Sequence, residues 1–180
     1  VAHNLAALGC RVALCGLVGE DAPAEELLAR LKALGIDTAG VIRDPARPTT
    51  VKLRVMAQQQ QMLRCDWEQT EPLAPAQAAA LLERLEAELT AHDGILVSDY
   101  GKGLIGETLM QGLIALGRRA GKPVLAFAGR VWLTPAAVRR LGLDAAYALA
   151  EKGIPPRVAI RDGARLLEAR VAEVLRDFSA

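Results

Sequence analysis

The chain has 180 residues, enough for one domain, and 52% of them are apolar, ample for a core. Lysine and arginine number 22 against 21 acids, so the formal charge of +1 argues against nucleic acid or an anionic membrane as partner and leaves recognition to local charge. No apolar run approaches the ~18 residues that cross a bilayer, and Val1-Ala-His-Asn is no signal peptide, so the expected location is the cytoplasm.

In chain order, Val1 to Gly9 reads as a short helix with Val1, Leu5 and Leu8 on one face and Gly9 as its stop. It starts without a cap or a methionine, and the expectation is that a longer parent precedes it. Arg11 to Gly19 is a near-continuous apolar strand. A helix then runs from Glu20 to Leu34, with Leu27, Leu28, Leu31 and Leu34 expected inward, and Gly40 to Asp44 is a second, shorter strand. Cys10, Cys15 and Cys65 form neither a C-x-x-C pair nor a metal spacing and read as reduced, buried thiols. With His3 and His92 as its only imidazoles, the chain offers no zinc signature, and each His is expected at a helix end.

Residues 49–68 alternate as a half-solvated β-hairpin should. Thr50, Lys52, Arg54 and Met56 take one face, and Val51, Leu53, Val55 and Ala57 the other. On the return strand Arg64, Asp66 and Glu68 oppose Leu63, Cys65 and Trp67. With the tip centred on Gln60, Arg54 faces Asp66 and Lys52 faces Glu68, which leaves Arg64 as the spare cation that can meet an anion. The plainer reading is a wet face whose charges satisfy one another.

Pro75 to Ala91 is a helix with Ala78, Leu81, Leu82, Leu85 and Leu89 inward. Gly94-Ile-Leu-Val-Ser-Asp-Tyr-Gly-Lys-Gly103 follows, a buried strand ending in Asp99, Tyr100 and Lys102 between glycines. Ligands of open α/β sheets collect at the carboxyl ends of parallel strands, so these side chains are candidate binding residues. A strand followed by a polar turn explains the same pattern. Gly106 to Ala120 is a helix and Val124 to Phe127 a strand; Thr134 caps a short helix that Gly142 ends. Asp144 to Leu149 has no clear type, and Arg157 to Phe178 reads as a long amphipathic helix. The fold class is therefore α/β: one domain over 1–180, a mainly parallel sheet covered by helices on both faces, with the hairpin inserted.

Taken together, RPTTVKLRVMAQQQQMLRCDWE, the preceding VAHNLAALGCRVALCGLVGEDAPAEELLARLKALGIDTAGVIRD and the later ILVSDYGKGLI resemble the heptose 7-phosphate kinase domain of the ADP-heptose synthases. These are ribokinase-like sugar kinases, and the resemblance covers about residues 1–126. It implies a large α/β layer with a small β lid at 49–68 that often builds a homodimer. The implied activity is phosphorylation of a sugar phosphate, with ATP and magnesium, for lipopolysaccharide assembly. The implied substrate-binding residues are Lys52, Arg54, Arg64, Asp99 and Lys102, the cations for the phosphate and Asp99 for hydroxyls. The family's Gly-Ala-Gly-Asp motif, with its anion hole and basic Asp, is absent, Arg161-Asp162-Gly163 being no substitute. Its Thr-Pro-Asn-x-x-Glu is degenerate in Leu133-Thr-Pro-Ala-Ala-Val-Arg139. From about Gly121 the chain is instead similar to the C-terminal end of a bacterial glycerate kinase. A chimera joined near 121–127 and inactive as a kinase is the expectation. A decayed kinase paralogue, a non-catalytic dimerising module and a glycerate kinase fragment are the alternatives.

Overall fold

The computed structural model describes residues 1–58, 60–128, 131, 133–148 and 172. The expected helix at 157–178 and the Gly153-Ile-Pro-Pro break lie outside the described residues, apart from Ala172, which is helical.

The elements run α1 (Ala2–Ala7), β1 (Gly16–Val18), α2 (Ala22–Ala33), β2 (Val41–Arg43), β3 (Val51–Ala57), β4 (Gln60–Trp67), α3 (Pro75–Leu89), β5 (Ile95–Asp99), α4 (Glu107–Ala120), β6 (Val124–Ala128), α5 (Pro135–Leu141) and β7 (Ala145–Ala148). β5, β6 and β7 form one parallel sheet in that order, with Ile95 beside Val124 and Leu125 beside Ala145. β1 and β2 form a second parallel pair, and β3 and β4 an antiparallel hairpin.

Alternation along the three-stranded sheet decides how it is covered. Ile95, Val97 and Val124 turn to a core shared with Leu81 and Leu89 of α3, Leu109, Leu113, Ile114 and Leu116 of α4, and Val138 of α5. Leu96, Leu125, Phe127 and Tyr147 turn the other way and meet Val1 and Leu5. Both faces are thus covered, and within the segment of no clear type Ala145–Ala148 form a strand that pairs in parallel with β6.

Local chemistry sets the helix ends. Asp21 caps α2 by accepting from Ala24 N at 2.9 Å, and Thr134 caps α5 by accepting from Ala137 N at 3.2 Å. Pro follows each cap by one or two positions.

Three expectations need correction. The strand expected over 11–19 is regular only at Gly16–Val18, with an isolated bridge from Ala13 to Asp37. Its partner chain turns between Asp37 and Val41, where Val41 N donates to Thr38 O, and the ladder is interrupted there. On α2 Ala24 is buried and Leu28 and Leu31 are half-buried, while Leu27 and Leu34 remain 39% and 45% exposed. Leu8 likewise faces out, since α1 ends before it.

Cys10, Cys15 and Cys65 are free, as expected, but half-buried rather than buried. Burial, reinforced by the charges of Glu88 and Asp37, pushes the Cys15 thiol up to about 11, which keeps it protonated at neutral pH. His92 sits just past α3, its Nδ1 2.7 Å from Glu88 O.

Candidate functional site

The hairpin register places the charged residues. Lys52 pairs with Asp66 and Arg54 with Arg64, while Val51 pairs with Trp67, Leu53 with Cys65 and Val55 with Leu63. The turn lies one residue earlier than expected. Gln58 takes a left-handed φ of 53°, and a bulge at Val55/Met56 absorbs the odd residue. Arg54 consequently faces Arg64 and not Asp66.

Opposed like charges repel, and the strand relieves this through a neighbour: Arg64 Nε lies 3.0 Å from Asp66 Oδ1. Arg64 is therefore paired, against expectation. Arg54, exposed on the same face, makes no ion pair among the described residues. The spare cation exists, but it is Arg54.

Lys52 Nζ donates to Asp66 Oδ2 at 3.0 Å and to Glu68 Oε2 at 3.1 Å. Glu68 reaches beyond the hairpin, because its Oε1 accepts from Lys102 Nζ at 2.6 Å. The result is one alternating chain of charge: Arg64, Asp66, Lys52, Glu68, Lys102. Hydrogen bonds from Lys102 and then Lys52 hold the Glu68 carboxyl below its usual range, and Lys52 does the same for Asp66. The two carboxylates in turn raise Lys52.

The backbone explains how residue 102 meets residue 68. Gly101 and Gly103 have φ of 65° and 77°. A Cβ on Gly103 would stand 2.5 Å from Glu71 O and closer still to Thr70 O, so the segment leaving β4 lies directly on this loop. The close approach that this glycine permits is made by the chain itself.

Asp99, half-buried at the end of β5, accepts from Gly101 N at 2.9 Å and shapes the turn; no bond joins it to the charge chain among the described residues. Tyr100 is 66% exposed. Lys52, Arg64 and Lys102 are therefore brought together, whereas Arg54 stands beside them and Asp99 is occupied locally.

A second polar cluster went unread in the sequence. Buried Thr49 accepts from Gly19 N at 2.8 Å and donates its own N–H to Asp21 Oδ2 at 2.8 Å, which joins the end of β1 to the root of the hairpin. Buried Asp44 accepts from Gln77 Nε2 at 2.6 Å and from Ala46 N at 2.9 Å. The signal available was an Asp-x-x-x-Pro-Thr run just before the alternating segment.

An apolar cavity of about 190 Å³ lies between the segment before β1, α3, β5 and α4, lined by Cys15, Leu81, Leu85, Ile95 and Val97 among others. Its walls carry little of the chemistry that a phosphate needs. The charged chain on the hairpin and the β5 loop does.

Among the described residues no group of three His, Cys, Asp or Glu is arranged to hold a metal ion. The Thr134 hydroxyl, in the degenerate motif, caps its own helix.

A family profile described as "pfkB family carbohydrate kinase" matches residues 1–133. The chain belongs to that family. Among curated relatives, "Bifunctional protein HldE" of Chromohalobacter salexigens is 48% identical over 125 residues, covering 69% of this chain and 25% of that protein. The proteins of the same name from Helicobacter pylori (strain ATCC 700392 / 26695) and Wolinella succinogenes are 41% and 38% identical over the same length, covering 27% and 26% of those proteins. The chain spans about a quarter of the length of these relatives.

Solved structures agree on the fold. A PfkB protein from Polaromonas sp. JS666 superposes with a TM-score of 0.60 at 20% identity, over 92% of this chain and 60% of that one. A putative Ribokinase II from E. coli, in complex with ATP and Mg, gives 0.56 at 14% identity over 91% and 56%. The pfkB-type α/β fold is shared, and the resemblance read from the hairpin and the β5 motif stands.

Proposed function

We propose that this pfkB-family chain is the sugar-phosphate-handling part of a cytoplasmic carbohydrate kinase whose substrate is a heptose 7-phosphate. The observation that carries this reading is the charge chain from Arg64 through Asp66, Lys52 and Glu68 to Lys102, which links the hairpin to the loop after β5, with Arg54 in no ion pair among the described residues beside it. Two lysines that share one carboxylate beside a strand tip suit a phosphate dianion, and Asp99 lies close in sequence for hydroxyls. The hairpin acts as the lid over that ligand. ATP and magnesium supply and activate the transferred phosphoryl group in such kinases. The degenerate motif at Leu133-Thr-Pro-Ala-Ala-Val-Arg139 supports the reading that the chain by itself binds the sugar phosphate without productive turnover.

The test is calorimetric titration of the chain with a heptose 7-phosphate, the free heptose and inorganic phosphate, alongside a coupled ADP-release assay. Binding of the sugar phosphate tighter than either fragment, with negligible turnover, is expected. Sugar-dependent ATP turnover that Asp99→Ala abolishes would overturn the inactive reading, and equal binding of sugar phosphate and inorganic phosphate would overturn the substrate.

A second reading has its own support. The hairpin face opposite the charges carries Leu53, Val55, Leu63 and Trp67 at 48%, 43%, 55% and 52% exposure, a contiguous apolar surface on two strands. We infer that this face pairs with a second copy, and light scattering of the chain against Leu63→Glu measures it. The change of parent near 121–127 gains no support from the described residues. β6 pairs in register with both β5 and β7, and the family match runs past that point to residue 133.

A further inference from the structure

The cations at the candidate site are already engaged. Glu68 alone spans two of them, with one carboxylate oxygen 3.1 Å from Lys52 Nζ and the other 2.6 Å from Lys102 Nζ. Its side chain is only 20% exposed, while the two lysines retain 35% and 37%. A carboxylate offers two oxygens about as far apart as two oxygens of a phosphate, so it fills this two-ammonium position as a phosphate monoester does, with less charge. Asp66 is different. It is shared between Arg64 and Lys52 within the hairpin and stays satisfied by Arg64 when Lys52 turns away. Arg54 has no such partner among the described residues, so it is the cation that an arriving anion meets first.

We propose that Glu68 is a built-in competitor of the anionic ligand: it holds Lys52 and Lys102 in the arrangement that a phosphate dianion takes over, and it yields them when the dianion binds. The proposal rests on the reading of these lysines as phosphate-handling groups. It adds a residue that sets the threshold for binding, and with it selectivity for doubly charged ligands over singly charged ones, since only the stronger anion displaces a resident carboxylate.

The test uses the full chain and inorganic phosphate as probe, followed by calorimetry or by NMR shifts of the 99–103 amides. Glu68→Gln keeps the size and removes the charge; phosphate is expected to bind roughly three- to tenfold tighter, the range that one or two exposed ion pairs supply. Glu86→Gln, which frees Arg119 far along α3, makes the same change in net charge and is expected to leave the affinity within about twofold. The double variant Glu68→Gln with Lys102→Ala loses the gain. Should Glu68→Gln fail to fold, as judged by circular dichroism, Glu68→Asp serves: its shorter arm reaches one lysine at most, and a smaller gain in the same direction is expected. A Glu68 variant that binds phosphate no tighter, or gains no more than Glu86→Gln, overturns the proposal. Titration with the heptose 7-phosphate separates the two readings. If it binds no better than inorganic phosphate to any variant, the substrate assignment fails, while a phosphate gain in Glu68→Gln still supports the competitor role.

Discussion

Alanine at Gly101 and at Gly103 should have sharply different costs, although both glycines sit two residues apart in the same loop with left-handed φ of 65° and 77°. For an L-residue the left-handed region costs ~1–2 kcal/mol, partly offset by the ~0.4–1 kcal/mol gained from a stiffer unfolded chain. Gly101 has open space where a Cβ would go, so Gly101→Ala should lose ~1 kcal/mol and no more. At Gly103 the same methyl would fall on the carbonyl oxygens of Thr70 and Glu71, the latter at 2.5 Å, well inside any real contact. The backbone leaving β4 must then retreat, and overpacking of this kind adds ~1–3 kcal/mol, for a total near 3. The difference of ~2 kcal/mol corresponds to a midpoint shift of about 1 M urea at slopes of ~1–3 kcal/mol per M. Equilibrium urea denaturation of the two variants against the parent measures it. Because the retreat separates Glu68 from Lys102, Gly103→Ala should also move the 99–103 amide resonances. Equal midpoints for the two variants would refute the close approach and with it the link between hairpin and strand tip.

Two further outcomes follow from the same structure. Phe127 is 1% exposed and stacks on Tyr147 at a centroid distance of 5.2 Å, so Phe127→Ala should cost ~3–5 kcal/mol by thermal or urea unfolding, and a loss below ~1 kcal/mol would contradict a filled second core. The charge chain has a defined pH window. Asp66 and Glu68 are held below their ordinary 3.8 and 4.5, so their contribution is complete above those values and fades as pH falls through the lowered ones. Lys52 is raised above 10.5, so its contribution is complete below that and fades as pH climbs past the raised value. Emission of Trp67, read in a Trp132→Phe background, should stay flat between these limits; a transition near neutral pH would mean that other groups govern the hairpin.

Much of the fold was legible because its signals are local. Ile95 to Val97 ahead of Asp99, the Thr134-Pro135 start and Gly142 stop of α5, and the Leu81 to Leu89 stripe of α3 each state their structure within a few residues. The hairpin was legible as a hairpin, but its register was not. Four successive glutamines provide none of the Asn-Gly chemistry that marks a turn, so placing the tip at Gln60 exchanged the roles of Arg54 and Arg64. The Glu68–Lys102 bond was hidden for another reason. It joins positions 34 apart through a backbone contact at Gly103, and no periodicity reports on that. The inward placement of Leu27 and Leu34 failed similarly, since a leucine-rich helix declares a stripe without declaring how wide its cover is.

The hairpin is anchored at both roots. Thr49 ties its first strand to Asp21 and Gly19, and the Thr70–Glu71 backbone rests on Gly103 at the other end. Swinging the hairpin as a rigid flap about its base would break these fastenings. Flexing of the ribbon above Val51 and Trp67, at the irregularity between Val55 and Met56, leaves them intact and leaves Lys52, near the foot of the hairpin, beside Glu68.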